Sequence, residues 1–277
     1  MGECLWGPLV PLAQQPVSEQ GTRLRSEFFR RDAREVGQEL VGKLLVRSDG
    51  RAARLVEVEA YLGLDDPGSH AFRGPTPRAA IMFGPPGRLY VYFSYGMHWC
   101  ANVVCSPEGT ATAVLLRAAQ PVNGIAAMEQ ARSHGQRELR ERDLCRGPGR
   151  LTEAFGITGD LNGLDLTAKR SELWLSDDGA GPGGLVEATP RVGLSATQAP
   201  DLPLRFVVRG SVWASPGPRP VAPARLPTAP GEATAPTGEA TAPTGEATAE
   251  TGGAGRSAGP PARRVSSPGQ GIRRREG

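Results

Sequence analysis

The chain has 277 residues, 22% of them charged, and a formal net charge of +3. Residues 218–277 hold eight arginines and five glutamates, so the first 217 residues are formally neutral, and any polyanion-binding surface there must come from clustering. Four cysteines without a Cys-x-x-Cys pair and only three histidines argue against a zinc site or a disulfide framework, and the absence of a long apolar run argues against a membrane span.

Residues 1–22 carry no clear pattern and are read as a flexible segment. Ser26 can cap a short turn beginning Glu27-Phe28-Phe29, and Val36, Leu40 and Val41 fall at helical spacing within 32–42, where Gly42 is a natural stop. Residues 43–47 and 51–62 read as a hairpin around the Asp49-Gly50 turn. Residues 63–88, rich in Gly, Pro and Asp and holding His70, are read as a long ordered loop or an active-site segment rather than a linker. Residues 88–95, 99–105 and 112–118 are expected strands, 122–132 and 138–144 helices, and 149–155 a short helix. Late strands are expected at 172–175, 190–193 and 204–209. Many strands, few helices and no strand–helix–strand rhythm predict an α+β domain over residues 23–217, with a curved, mostly antiparallel sheet and flanking helices.

Beyond about Pro216 large apolar residues are scarce. Residues 231–237 and 238–244 are identical copies of Gly-Glu-Ala-Thr-Ala-Pro-Thr, so 218–277 is read as a disordered low-complexity tail. There is no phosphate-binding glycine loop, dinucleotide fingerprint or nucleophile elbow, and no cofactor or metal is expected. The arginine excess over Lys43 and Lys169, with abundant Ala, Gly and Pro, suggests a GC-rich bacterial genome, and the N-terminus lacks a signal-peptide pattern, so a cytoplasmic protein is expected.

Residues 55–62, Leu-Val-Glu-Val-Glu-Ala-Tyr-Leu, carry the most information. Strand alternation puts Glu57, Glu59 and Tyr61 on one face and Val56, Val58, Ala60 and Leu62 on the other. Two carboxylates and a phenol in a row are either the solvated face of an edge strand or a row kept for chemistry. Tyr90 and Tyr92 add an aromatic row from a second strand, and His70 lies in the loop between. Aromatics from several elements around one acid suit a flat, π-rich ligand such as a nucleobase, although each could separately be ordinary packing. Glu57 can tune the pKa of Glu59 or pair with an arginine such as Arg54 or Arg88, and the pairing is the expectation.

Further pieces follow in one order: Glu59-Ala60-Tyr61, His70, Leu89-Tyr90-Val91-Tyr92 with Tyr95-Gly96-Met97, Asn102, Leu115-Leu116-Arg117-Ala118, Gly147-Pro148-Gly149-Arg150-Leu151 and Val208-Arg209-Gly210-Ser211. Over roughly residues 25–215 this resembles the alkyladenine (3-methyladenine) DNA glycosylase family. The resemblance implies an enzyme of base-excision repair that binds damaged double-stranded DNA, flips out an alkylated or deaminated purine and hydrolyses its N-glycosidic bond. Residue by residue, it implies Glu59 as catalytic base, with Arg117 and the Val208 carbonyl helping to hold the water. Tyr61 and His70 match one wall of the base pocket and Tyr92 the other. Asn102 matches a residue that rejects the amine of normal guanine, Tyr95 a minor-groove wedge, and Arg150 a basic DNA contact. His98 departs from the aromatic expected after Tyr95-Gly96-Met97.

The chemistry fits these roles. A carboxylate can activate water and stabilise an oxocarbenium-like sugar, and a cationic alkylated purine prefers electron-rich rings. Glycine beside Tyr95 allows the tight turn a wedge needs. Neither lysine lies in a motif, so a monofunctional, monomeric enzyme without a Schiff-base intermediate is expected. Two other readings stay open: a glycoside hydrolase using Glu57 and Glu59, about 7 Å apart by strand rise, and a non-catalytic nucleic-acid-binding module.

Overall fold

Hydrophobic alternation in the central part of the chain is realised as one nine-stranded antiparallel sheet. The computed structural model describes residues 21–133 and 139–217; the expectations for 218–277 and for most of 1–22 lie outside those residues. In chain order the elements are β1 (Thr22–Arg23), α1 (Ser26–Phe29), α2 (Ala33–Leu40), β2 (Leu44–Arg47), β3 (Ala52–Tyr61), β4 (Leu89–Ser94), β5 (His98–Cys105), β6 (Thr112–Asn123), α3 (Ile125–Arg132), α4 (Pro148–Phe155), β7 (Leu173–Asp177), β8 (Val186–Thr189) and β9 (Arg205–Val208). The α+β class and the antiparallel sheet with few helices are as the sequence predicted.

The strands run β1-β7-β2-β3-β6-β5-β4, and β9, carrying β8, pairs with β3 as well. One edge of β3 meets β6 along its length. The other is divided, with β2 on Ala52–Arg54 and β9 on Glu57–Glu59. β3 is therefore an interior strand, and the solvated-edge reading of its acidic face is overturned. Glu57 and Glu59 are both fully buried.

Alternation then separates two faces. Val58 and Ala60 of β3, Val114 and Leu116 of β6, Ala101 and Val103 of β5, and Leu89 and Val91 of β4 belong to the main core. α2 and α4 contribute Val36, Leu40, Leu151, Ala154 and Phe155 to it. On the opposite face, direct cross-strand pairing aligns Glu59, Leu115, Asn102 and Tyr90 in one row across four strands. The β3–β6 register is broken beside this row: it skips Val56 on β3 and Arg117 on β6. Such irregularities re-aim a side chain, and here Arg117 is turned toward both carboxylates.

Local expectations were met unevenly. The Asp49-Gly50 turn joins β2 to β3, with Gly50 at φ +96° and its N–H on the Arg47 carbonyl. Asp32 caps α2 by accepting from the Arg34 amide. Ser26 is not a cap: it is the first residue of α1, and Arg25 holds the cap position. Val122 and Asn123 finish β6, and α3 begins only after Gly124. Among the described residues of the expected helix at 138–144, only Glu141–Asp143 form a single 3-10 turn; the segment's two leucines, Leu139 and Leu144, give it no apolar stripe. Residues 190–193 are not a strand. β8 stops at Thr189, before Pro190, which has no N–H for the ladder, and the chain turns out of the sheet there.

Candidate active site

A cavity of about 460 Å³ opens on the polar face of the sheet. Its walls include Tyr61, His70, Tyr90, Tyr92, Asn102 and Arg117. β4 supplies Tyr90 and Tyr92, whose ring centroids lie 5.5 Å apart, and His70 stands edge-on to Tyr92 at 4.5 Å. His70 Nδ1 is 2.9 Å from the Tyr90 hydroxyl. Burial among these rings, together with the nearby Arg78, lowers the His70 pKa to about 4, so the imidazole is neutral at physiological pH. The Asn102 amide donates to the Tyr90 carbonyl at 3.1 Å, which fixes its side chain against the floor.

The acid lies behind these walls. Glu59 Oε1 accepts the Val192 N–H at 2.7 Å, while Oε2 accepts from the Tyr61 hydroxyl at 3.0 Å and from Arg117 Nη1 at 3.2 Å. A carboxylate offers about four acceptor positions. Three are taken, and the remaining one, on Oε1, can accept from a water. Burial and the neighbouring Glu59 charge raise the Tyr61 pKa well above that of a free phenol, so its hydroxyl stays a donor. Desolvation disfavours the Arg117 cation, but Glu59 and Glu57 outweigh it and raise its pKa, so the guanidinium is permanently charged.

Glu57 has no role as a proton donor. Its Oε1 accepts from Arg117 Nε at 2.8 Å, Arg205 Nε at 2.8 Å and Ser215 Oγ at 2.7 Å, and its Oε2 accepts the Ser215 N–H at 2.6 Å. Burial pushes its pKa up, but Arg117 and Arg205 override this and hold it below the usual value. The expected pairing with Arg54 or Arg88 is corrected: Arg54 binds Asp178 at 2.6 Å and Arg88 faces Asp165 at 3.6 Å. A carboxylate held ionised by two arginines cannot serve as the acid of a glycoside-hydrolase pair.

A family model described as methylpurine-DNA glycosylase (MPG) matches residues 27–212. The chain belongs to the methylpurine-DNA glycosylase family. A protein of Burkholderia cenocepacia (strain HI2424) named "Putative 3-methyladenine DNA glycosylase" is 50% identical over 195 residues, covering 70% of this chain and 92% of that protein. Proteins of the same name from Koribacter versatilis (strain Ellin345) and Frankia casuarinae (strain DSM 45818 / CECT 9043 / HFP020203 / CcI3) are 48% and 46% identical, over 68% and 70% of this chain and 90% and 92% of their own lengths. Membership in the methylpurine-DNA glycosylase family makes the chain a DNA glycosylase, a hydrolase of N-glycosyl bonds in DNA repair.

Within this methylpurine-DNA glycosylase fold, the expected site residues divide. Tyr61, His70, Tyr92, Asn102 and Arg117 line the cavity, and Glu59 lies behind them, bonded to Tyr61 and Arg117. Tyr95 stands at its mouth, 81% exposed, on the β4–β5 turn. Arg150 lies on α4, exposed, with Nη1 3.3 Å from Asp143, and does not reach the carboxylate cluster. Val208 is not brought to Glu59. The β9 residue paired with Glu59 is Arg205, three positions away, and the Val208 carbonyl accepts the Ser211 N–H at 3.1 Å. The backbone that does reach Glu59 is that of Val192.

Sequence reading missed this backbone and its support. Arg191, next to Val192, is fully buried against Asp66, with bonds of 2.6 and 2.8 Å, and its guanidinium lies 4.7 Å from the Tyr61 ring centre. Arg78 lies 4.8 Å over Tyr92. A main-chain donor leaves no mark in a sequence, and Asp66 and Arg191 are 125 positions apart; the only available signal was an acid and a base in segments otherwise rich in Gly and Pro. His98 packs its ring on the backbone of Gly149, where a Cβ would stand only 2.7 Å from it. It thereby ties the β4–β5 turn to the start of α4. No helix among the described residues is long and apolar enough to cross a membrane, and no group of three His, Cys, Asp or Glu among them could hold a metal ion.

Proposed function

We propose that the protein is a monofunctional DNA glycosylase that takes an alkylated or deaminated purine, 3-methyladenine or hypoxanthine, out of duplex DNA and hydrolyses its N-glycosidic bond. The observation that carries this reading is Glu59: fully buried, fixed by three donors, and lying directly behind the aromatic walls of the cavity. A purine turned out of the stack enters the cavity against Tyr61, His70 and Tyr92, and His70, edge-on to Tyr92 at 4.5 Å, moves aside to admit the ring between them. An alkylated base is cationic and gains from the ring faces, and a damaged base costs less to unstack. Glu59 orients and deprotonates the attacking water, and its charge opposes the positive charge growing on the sugar. Arg117 and the Val192 amide fix the carboxylate, and Asn102 limits what fits on the floor. Tyr95 fills the gap in the duplex, and Arg150 contacts the backbone.

No lysine is placed at the site, so the product is free base and an intact abasic site. The test is single-turnover release of base from a duplex carrying one methylated purine. Glu59→Gln, which keeps shape and removes charge, is expected to slow release by about 10²- to 10⁴-fold. Wild-type rates in that variant would sink the assignment, and borohydride trapping of an enzyme–DNA adduct would sink the monofunctional mechanism.

A further inference from the structure

We propose that Glu57 is a positioning residue for this reaction: it holds Arg117 so that one guanidinium nitrogen stays on Glu59, and with Arg205 it balances the charge of the buried cluster. The proposal rests on the reading of Glu59 given above.

Arg117 is shared. Its Nε donates to Glu57 and its Nη1 to Glu59, at 2.8 and 3.2 Å, and the guanidinium is planar, so fixing one nitrogen aims the other. The register break leaves Arg117 without a direct partner on β3, so its aim comes from Glu57 rather than from the ladder. Glu57 is in turn held from two sides, by Arg205 of β9 and by the amide and hydroxyl of Ser215 in the segment that follows. Ser215 lies beyond residues 27–212, so the folded unit closes on its own active site just past the family match.

The charges face one another in a compact set, with the titratable Cys100 thiol of β5 also near Glu59 and Arg117. Glu57 meets Arg117 from β6, Arg205 from β9 and Ser215. Glu59 meets Arg117, the Tyr61 hydroxyl and the Val192 amide, with the Asp66–Arg191 pair beyond the Tyr61 ring. Two carboxylates thus answer two guanidiniums. Replacing Glu57 by glutamine leaves Arg117 and Arg205 with Glu59 alone. Arg117 loses the tether that fixes its angle on Glu59, and the excess cation opposes the positive charge of the transition state and weakens Glu59 as a base.

The experiment measures single-turnover release of hypoxanthine, one of the two bases proposed above and one without the guanine amine, from a duplex as a function of pH, with duplex affinity measured in parallel. Glu57→Gln is expected to slow release by about tenfold or more, to shift the acid limb of the profile down by about one pH unit, and to leave affinity within about twofold. Glu57→Gln combined with Arg205→Gln restores the balance and returns the limb toward its wild-type position. Arg205→Gln alone, which keeps the Glu57 tether, moves the limb to higher pH and serves if Glu57→Gln does not fold. A residue with a merely structural role would lower the folded fraction and leave the limb where it is, and that result overturns the proposal. So does a wild-type rate and profile in Glu57→Gln. If instead Glu59→Gln keeps wild-type activity, or the wild type releases no base, the reading of Glu59 falls and the positioning role falls with it.

Discussion

His70 keeps its imidazole neutral because aromatic rings surround it and Arg78 lies nearby, and this has a consequence for stability. Its native pKa is about 4 against 6.5 for the unfolded chain. As pH falls, the unfolded state takes up the proton first, so native stability is lost from about pH 6.5 down to about pH 4 and is fully present above that window. Urea midpoints followed from pH 7 to pH 4.5 should fall more steeply for the wild type than for His70→Gln. Parallel curves would show that the ring does not titrate in this way. The side chains at this scale were largely legible: period-two alternation put Glu59 and Tyr61 on one face and Tyr90 and Tyr92 on another, and the fold aligned those faces. What could not be read was which partners each would meet. Glu57 drew Arg117 and Arg205 rather than Arg54 or Arg88, because partner choice depends on register, and the register is broken at that point.

One connection between elements holds the site together. The loop after β3 is clasped to the segment after β8 by Asp66 and Arg191, both without exposed side-chain surface. Breaking one half of such a pair strands a buried charge. Arg191→Met is expected to cost about 3–5 kcal/mol in chemical denaturation, and the double variant with Asp66→Asn distinctly less. The single variant should also slow base release, because Val192 follows Arg191 and its amide is held on Glu59. Equal losses in the single and double variants would mean that the pair is not coupled. Strands with clear alternation, such as β3 and β4, were legible to within a residue or two. The segment at 190–193 was not, because its short apolar pattern suits a strand while Pro190 ends the ladder. The placement of Val208 failed for a related reason: a motif late in the chain does not say which backbone group reaches the acid.

For the molecule as a whole, the neutral balance of residues 1–217 means that DNA must be met by local clusters of positive charge rather than by overall charge. Residues 218–277 add a net +3. Removing them should weaken duplex binding at low salt, reduce the salt slope and leave the single-turnover rate unchanged; identical salt titrations would dismiss a binding role. The fold class was legible because many alternating segments with few helices leave little choice of architecture, whereas the division of one β3 edge between β2 and β9 is a long-range outcome that no local pattern encodes.

With Tyr95 as the proposed wedge, the β4–β5 turn sets stability against use. Tyr95 and Gly96 both have left-handed backbones, φ +50° and +66°, and the Met97 amide closes the turn on the Ser94 carbonyl at 3.0 Å. A bulky residue is costly in that conformation, and here it also exposes its ring, next to the exposed Met97. Tyr95→Gly should therefore raise the melting temperature, by an amount equivalent to about 1 kcal/mol, while it weakens the grip on damaged duplex. A laboratory selection for heat resistance alone would erode this turn early, so screens for hardier variants should count excised bases as well as surviving protein.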